Sequence, residues 1–426
     1  MLHVTCYTLN VLSAIMSVMA KPISFNIEKR VSDRLGRAGV INTPNGSIQT
    51  PAFVTVGTKA TVKALTPEQV SELGAQVVLA NTYHLYLEPG DDVLVEGGGL
   101  HKYMNWSGPT MTDSGGFQAF SLGAAFDKGV GKLIKSKDVE DERDGRKEIS
   151  TDIKKLPLAK VTEDGVEFRS HIDGSKHFFT PEKSIEIQHN IGADMIFAFD
   201  ECTSPTASYE YQKEAMDRTH RWAGRCLEYH KKSKNSEKQG LFGIVQGGRY
   251  EDLRKESART IASMDFDGFG IGGSFNKEDM ESAVRWVNEM LPEDKPRHLL
   301  GIGEPSDLFG GVLSGADLFD CVAPTRMARN GTLHTLDGRI NITNARFARD
   351  HSSIDDSCTC YTCRNYTRSY VSHLFRAGEM LGATLASIHN LHFIVKLVAD
   401  MRQAILEKDL PAFRESFEGK YYGGRC

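Results

Sequence analysis

The chain lacks a charge bias: 51 Lys and Arg stand against 56 Asp and Glu over 426 residues, a net charge of −5. A slightly acidic protein repels polyanions at long range, so any phosphate binding must come from a local patch. The apolar opening stretch MLHVTCYTLNVLSAIMSVMA lacks the basic start of a secretory signal and is shorter than a comfortable membrane span. Residues 1–22 are therefore expected to be a poorly ordered extension, which an upstream start ahead of Met16 or Met19 would explain, and no membrane partner is expected. Eight cysteines do not form a disulfide framework here, because three of them crowd into 358–363. That usage suits a reducing, cytoplasmic compartment and a metal site. With 40% hydrophobic and 9% aromatic residues the chain also lacks the signature of disorder, leaving enough for a large core.

What is present is a rhythm. Eight short apolar runs, AFVTVG (52–57), QVVLANT (76–82), TMTD (110–113), MIFAFDE (195–201), LFGIVQ (241–246), GFGIGG (268–273), HLLGIG (298–303) and DLFDCV (317–322), each carry a polar residue or glycine at or near the carboxyl end. Between most of them lie helix signals, such as TPEQVSELGA after Thr66 and TPEKSIEIQHNIGA after Thr180, with Thr, Pro and Glu at N-cap, first-turn and capping-box positions. Such alternation predicts an α/β fold, a (β/α)8 TIM barrel whose chemistry sits at the carboxyl ends of its strands. One barrel over 23–417 with insertions accounts for the length, followed by a tail at 418–426.

Two regions break the rhythm. Of the 29 residues 127–155, 17 are charged with both signs mixed, so this segment is expected to be a solvated insertion. After it, VEFRSHIDG (166–174) and KHFFTP (176–181) read as a hairpin around Gly174.

A zinc-binding subdomain is predicted at about 340–392. Cys358, Cys360 and Cys363 offer three thiolates within six residues, and a downstream imidazole would complete a closed tetrahedral Zn²⁺ site of structural type, one ion per chain. His389 is a fitting fourth ligand, with His373 and His392 as competitors that spacing leaves to geometry. From Cys321 to Arg376 there are eight Arg, no Lys and four acids. Guanidinium forks match phosphate oxygens, which points to nucleic acid; a solvated surface is the plain alternative.

Asp113 and Asp320 lie at two of the strand ends. One carboxylate can attack a sugar's anomeric carbon while another handles the leaving group's proton. The plain alternatives are a turn cap for Asp113 and an ion pair with Arg326 or Arg329 for Asp320.

The words MTDSGGFQ, FRSHIDGSKHFFTPEKSIEIQHNIGADMIFAFDECTSP, LFGIVQGG, GFGIGG, HLLGIG, FDCVAPTRMARNG and the Cys-x-Cys-x-x-Cys with its later His-Asn together resemble the bacterial-type tRNA-guanine transglycosylases, from about Phe25 to Phe417. The resemblance implies Asp320 as nucleophile and Asp113 as general acid/base. It implies Asp200, Gln246 and the backbone of Gly273 as readers of the base edge, with Ser114 beside them, and Phe117 and Leu300 as the faces between which the ring stacks. It also places Thr325, Arg326 and Arg329 toward tRNA. The reaction it implies is exchange of guanine at the wobble position of queuosine-type tRNAs for free 7-aminomethyl-7-deazaguanine, through a covalent aspartyl intermediate, by a homodimer. Two departures stand out: Ser274-Phe275-Asn276-Lys277-Glu278 replaces the family's usual Leu-small-Val-Gly-Glu, and the 127–155 insertion has no usual counterpart. Exchange with queuine and a non-catalytic tRNA-binding subunit are the alternatives. A metal-dependent barrel hydrolase is excluded because the ligand cluster lies away from the strand ends.

Overall fold

The computed structural model describes residues 21–124, 159–273, 277–407 and 409–423. Most of the N-terminal extension, the charged insertion at 127–155 and Ser274 to Asn276 lie outside the described residues. Eight parallel strands close into a barrel: β1 (Ala52–Val56), β2 (Val78–Ala80), β3 (Thr110–Thr112), β4 (Met195–Phe197), β5 (Gly240–Val245), β6 (Gly268–Ile271), β7 (Arg297–Leu299) and β8 (Leu318–Asp320). The ring shuts where β8 pairs with β1, Leu318 opposite Ala52 and Asp320 opposite Val54. Each apolar run supplies one strand. The runs are apolar throughout because a parallel strand is covered on both faces, and all six residues of β5, GLFGIV, are buried.

An antiparallel sheet, Ser24–Arg30, Arg37–Thr43 and Gly46–Thr50, leads directly into β1 and covers the barrel's N-terminal mouth. Its Phe25, Ile41 and Ile48 share one apolar cluster with Val54, Leu79, Met111, Phe197 and Leu318 of the barrel. Burying this set drives closure of that end, at roughly 1.5–3 kcal/mol for each large side chain.

Helices start where the sequence marks them. Thr66 caps Pro67–Glu72 through a capping box whose third-position partner is Gln69, with Glu68 one place too early. Thr180 caps Pro181–Ile191 by accepting from the backbone of Lys183, and Glu182 turns instead to Arg225 at 2.7 Å. Between β3 and β4 the predicted hairpin, Val166–Arg169 and Lys176–Phe179, gains a third strand, Ala159–Val161.

After β8 come helix Ala323–Arg329, a two-stranded hairpin and two short helices, Tyr361–Asn365 and Arg368–Ala377. Only then does the long helix Met380–Glu407 return to pack beside β1. This helix is long and apolar enough to cross a membrane by length and composition alone, yet 61% of its most apolar window is buried inside the protein. Leu391, Ile394, Val398 and Met401 are covered by the barrel side of the core, while Leu385 packs with Leu333, Ile342 and Leu374 of the subdomain after β8. The last helix, Leu410–Gly423, runs through the boundary expected at 417. Tyr421 is fully buried, and its hydroxyl lies 2.6 Å from His334 Nδ1.

Candidate active site and metal centre

Six consecutive strand ends carry the sequence candidates around one rim. Asp113 follows β3, Asp200 follows β4, Gln246 follows β5, Gly273 follows β6, Leu300 follows β7, and Asp320 ends β8. Parallel strands place all six at the carboxyl end of the barrel.

Asp113 is held from one side. Its Oδ1 accepts from the backbone N–H of Thr82 at 2.9 Å and of Gly115 at 3.2 Å, and its Oδ2 accepts from the Asn81 side-chain amide. The Gly115 contact is the turn cap foreseen as the plain alternative, and Gly115 itself has φ +76°, a conformation glycine adopts without strain. Asn81 also caps helix Thr82–Leu87 by accepting from His84 N–H. Burial, with the nearby His171, Lys59 and Lys63, pushes the His84 imidazole down to about 4, so it is neutral at physiological pH.

Asp200 and Gln246 meet. Gln246 Nε2 donates to Asp200 Oδ2 at 2.6 Å, and Ser114 Oγ donates to Asp200 Oδ1 at 2.9 Å. All three residues are buried. Beneath them lies Arg254, fully buried, donating to the carbonyls of Gly248 and Gly272 at 2.7 Å each. Burial pulls this guanidinium down to about 10, which leaves it charged. A Cβ on Gly273 would come within 2.7 Å of Arg254 and 2.9 Å of Gln246, so the backbone can approach the pocket only as glycine. Phe117 and Leu300 are half-buried at the same rim.

Asp320 is held by the end of β7. Its Oδ1 lies 2.9 Å from Nε2 of the fully buried His298 and 3.0 Å from the Gly301 N–H. Helix Ala323–Arg329 starts just beyond it. Arg326 is exposed and Arg329 half-buried, but Thr325 is buried, with its hydroxyl donating to the Val322 carbonyl at 3.3 Å. Of the three residues assigned toward tRNA, Thr325 is turned into the fold.

The metal donors come together as well. One ligand atom from each of Cys358, Cys360, Cys363 and His389 lies within 4.8 Å of the others. His389 Nδ1 sits 3.8, 3.6 and 3.3 Å from the three sulfurs, while Nε2 lies 2.6 Å from the His334 carbonyl oxygen. That carbonyl can only accept, so the ring proton sits on Nε2 and the Nδ1 lone pair faces the sulfurs, the arrangement a metal needs. Hydrogen bonds from Cys358 and Cys363 hold the Cys360 thiol well below its usual range. Among the competing imidazoles, His373 is exposed and His392 faces Thr359 at 3.5 Å. The set can hold a metal ion, and three thiolates with one imidazole suit zinc.

The sequence model described as queuine tRNA-ribosyltransferase matches residues 32–143 and 144–423, two stretches that meet inside the charged segment. The chain belongs to that family. A protein named queuine tRNA-ribosyltransferase from Thermoanaerobacter pseudethanolicus is 49% identical over 402 residues, covering 94% of this chain and 98% of its own. Proteins of the same name from Caldanaerobacter subterraneus and Geobacillus thermodenitrificans are 48% and 46% identical over 406 residues each, covering 95% of this chain and 99% and 97% of theirs.

Within this queuine tRNA-ribosyltransferase fold, the residues that sequence reasoning missed are the donors behind the acids: Asn81 and Thr82 for Asp113, His298 and Gly301 for Asp320, and Arg254 under the pocket floor. Asn81 and His298 both stood inside apolar runs, where a polar residue on an otherwise buried strand was the available signal.

Proposed function

We propose that the chain exchanges guanine at the wobble position of queuosine-type tRNAs for 7-aminomethyl-7-deazaguanine. Membership of the queuine tRNA-ribosyltransferase family makes it a pentosyl-transferring enzyme. The observation that carries the finer reading is the rim itself, with two acids flanking a buried Asp200–Gln246–Ser114 cluster. Asp320 attacks C1′ of the ribose; an ester bond forms, the C1′–N9 bond breaks, and its electron pair goes to the departing guanine. Asp113 supplies the proton to that base and takes one from its replacement, which then displaces the carboxylate.

Asp200 accepts from the N–H donors of the purine edge, Gln246 Nε2 donates to its ring carbonyl, and the Gly273 N–H donates alongside. The contacts of Asp200 and Gln246 replace the hydrogen bond these two make with each other, so a base with the wrong edge leaves buried groups unpaired at about 1–3 kcal/mol each. Phe117 and Leu300 flank the ring, and Arg326 and Arg329 hold phosphates next to Asp320. Zinc at Cys358, Cys360, Cys363 and His389 would be structural, since four protein ligands leave no position for water. The chain works as a cytoplasmic homodimer, each protomer one barrel with its zinc subdomain.

The relatives carry queuine in their names, which favours queuine as the second reading for the incoming base. Incubation with tRNA and radiolabelled guanine tests the exchange, with label entering tRNA as the expected result. Competition between 7-aminomethyl-7-deazaguanine and queuine for displacing that label then decides the base. No incorporation from guanine would overturn the proposal, and displacement by queuine alone would replace the incoming base.

A further inference from the structure

The geometry points to His298 as a positioning residue that orients Asp320 while staying uncharged. The inference rests on the reading of Asp320 as the nucleophile. His298 occupies the middle of β7, paired with Gly270 on one side and Leu318 on the other, and its ring is fully buried. The Phe197 ring meets it edge to face, with centroids 5.6 Å apart and planes at 76°. Nε2 lies 2.9 Å from Asp320 Oδ1, while Nδ1 is buried with no hydrogen-bond partner. Because a carboxylate accepts, the single ring proton belongs on Nε2. A second proton at Nδ1 would bury an N–H that nothing among the described residues receives, and would bury a charge besides. The imidazole is therefore held as a neutral donor.

Neutrality matters for the chemistry. Oδ1 receives two donors, His298 Nε2–H and Gly301 N–H. When Asp320 bonds C1′ and the C1′–N9 electron pair leaves with guanine, the carboxylate becomes an ester and sheds its negative charge. A neutral N–H can serve both forms. A cation in its place would stabilise the free carboxylate far more than the ester and would oppose attack.

The test compares His298→Phe, which keeps a ring but no donor, with His298→Gln, whose amide nitrogen reaches the place of Nε2. In His298→Phe, kcat for guanine exchange should fall about 10–100-fold, the effect of one hydrogen bond to a charged group, with KM for tRNA within about twofold of wild type. His298→Gln should recover most of the loss. Wild-type kcat in His298→Phe, or a His298→Gln variant as slow as the Phe variant, overturns the inference. If thermal melting shows His298→Phe unfolded, His298→Asn takes its place with the same expected loss, because its shorter amide stops at the position of Nδ1. Covalent tRNA trapping by Asp320→Asn run in parallel separates the two readings. Persistent trapping removes the nucleophile assignment, whereas lost trapping beside an unimpaired His298→Phe removes only this one.

Discussion

Asp317 and Asp320 stand three residues apart at the two ends of β8, and their surroundings differ in one decisive way. Asp317 is fully buried and gripped by Arg37 through both oxygens, Nε to Oδ1 at 2.9 Å and an Nη to Oδ2 at 2.7 Å, with the Arg297 N–H adding a third donor at 2.8 Å. Asp320 is partly exposed, and an imidazole and a backbone amide donate to its Oδ1. A guanidinium fork satisfies a carboxylate and removes it from chemistry. Amide and imidazole donors fix a carboxylate and leave its charge available. On the proposed reading the amino end of the strand serves stability and the carboxyl end reaction, the division of labour common to such barrels.

That contrast can be broken experimentally. Asp320→Asn should abolish exchange and covalent trapping while leaving the melting temperature close to wild type, since an amide cannot form the glycosyl ester; a denaturation-resistant tRNA band in the variant would end the contrast. Asp113→Asn should slow exchange by about 10²–10⁴, because the leaving base must be protonated. Near-normal steady-state turnover would return Asp113 to its role as a turn cap. Asp317→Asn should do the reverse, costing about 3–5 kcal/mol in urea unfolding by stranding Arg37, with kcat per folded molecule unchanged. A lowered kcat in that folded variant would show that the two ends are not separable. The smallest effect is expected outside the barrel. Neutralising Arg326 and Arg329 together should flatten the salt dependence of tRNA binding by up to about two units of slope, with free guanine affinity unaltered. An unchanged slope would move phosphate contact elsewhere.

The strands were legible because a parallel strand must be apolar throughout, and the polar residues that end those runs were legible as candidates for one rim. Helix starts were legible through Thr66 and Thr180, though the box partner proved to be Gln69, since only the third helical position reaches back to the cap. The sheet before β1 went unread even though the turn residues Pro44 and Asn45, followed by Gly46, separate two of its strands. The supporting donors were hidden for a different reason. Asn81 reaches Asp113 across 32 residues and His298 reaches Asp320 across 22, distances that only strand order collapses. The burial of Thr325 beside an exposed Arg326 was not legible either, because successive helical residues face different ways.

Helix Met380–Glu407 carries His389 toward the cysteines and, about 20 Å further along at 1.5 Å per residue, Arg402, which donates to the carbonyls of Gly39 and Thr50 in the sheet below β1. One helix thus ties the metal donors to the base of the molecule and packs beside the first barrel strand. Ligation at one end is thermodynamically a vote for the whole native state: an ion bound only by the folded chain adds RT ln(1 + [M]/Kd) to the unfolding free energy of the barrel as well as of the loop that holds it.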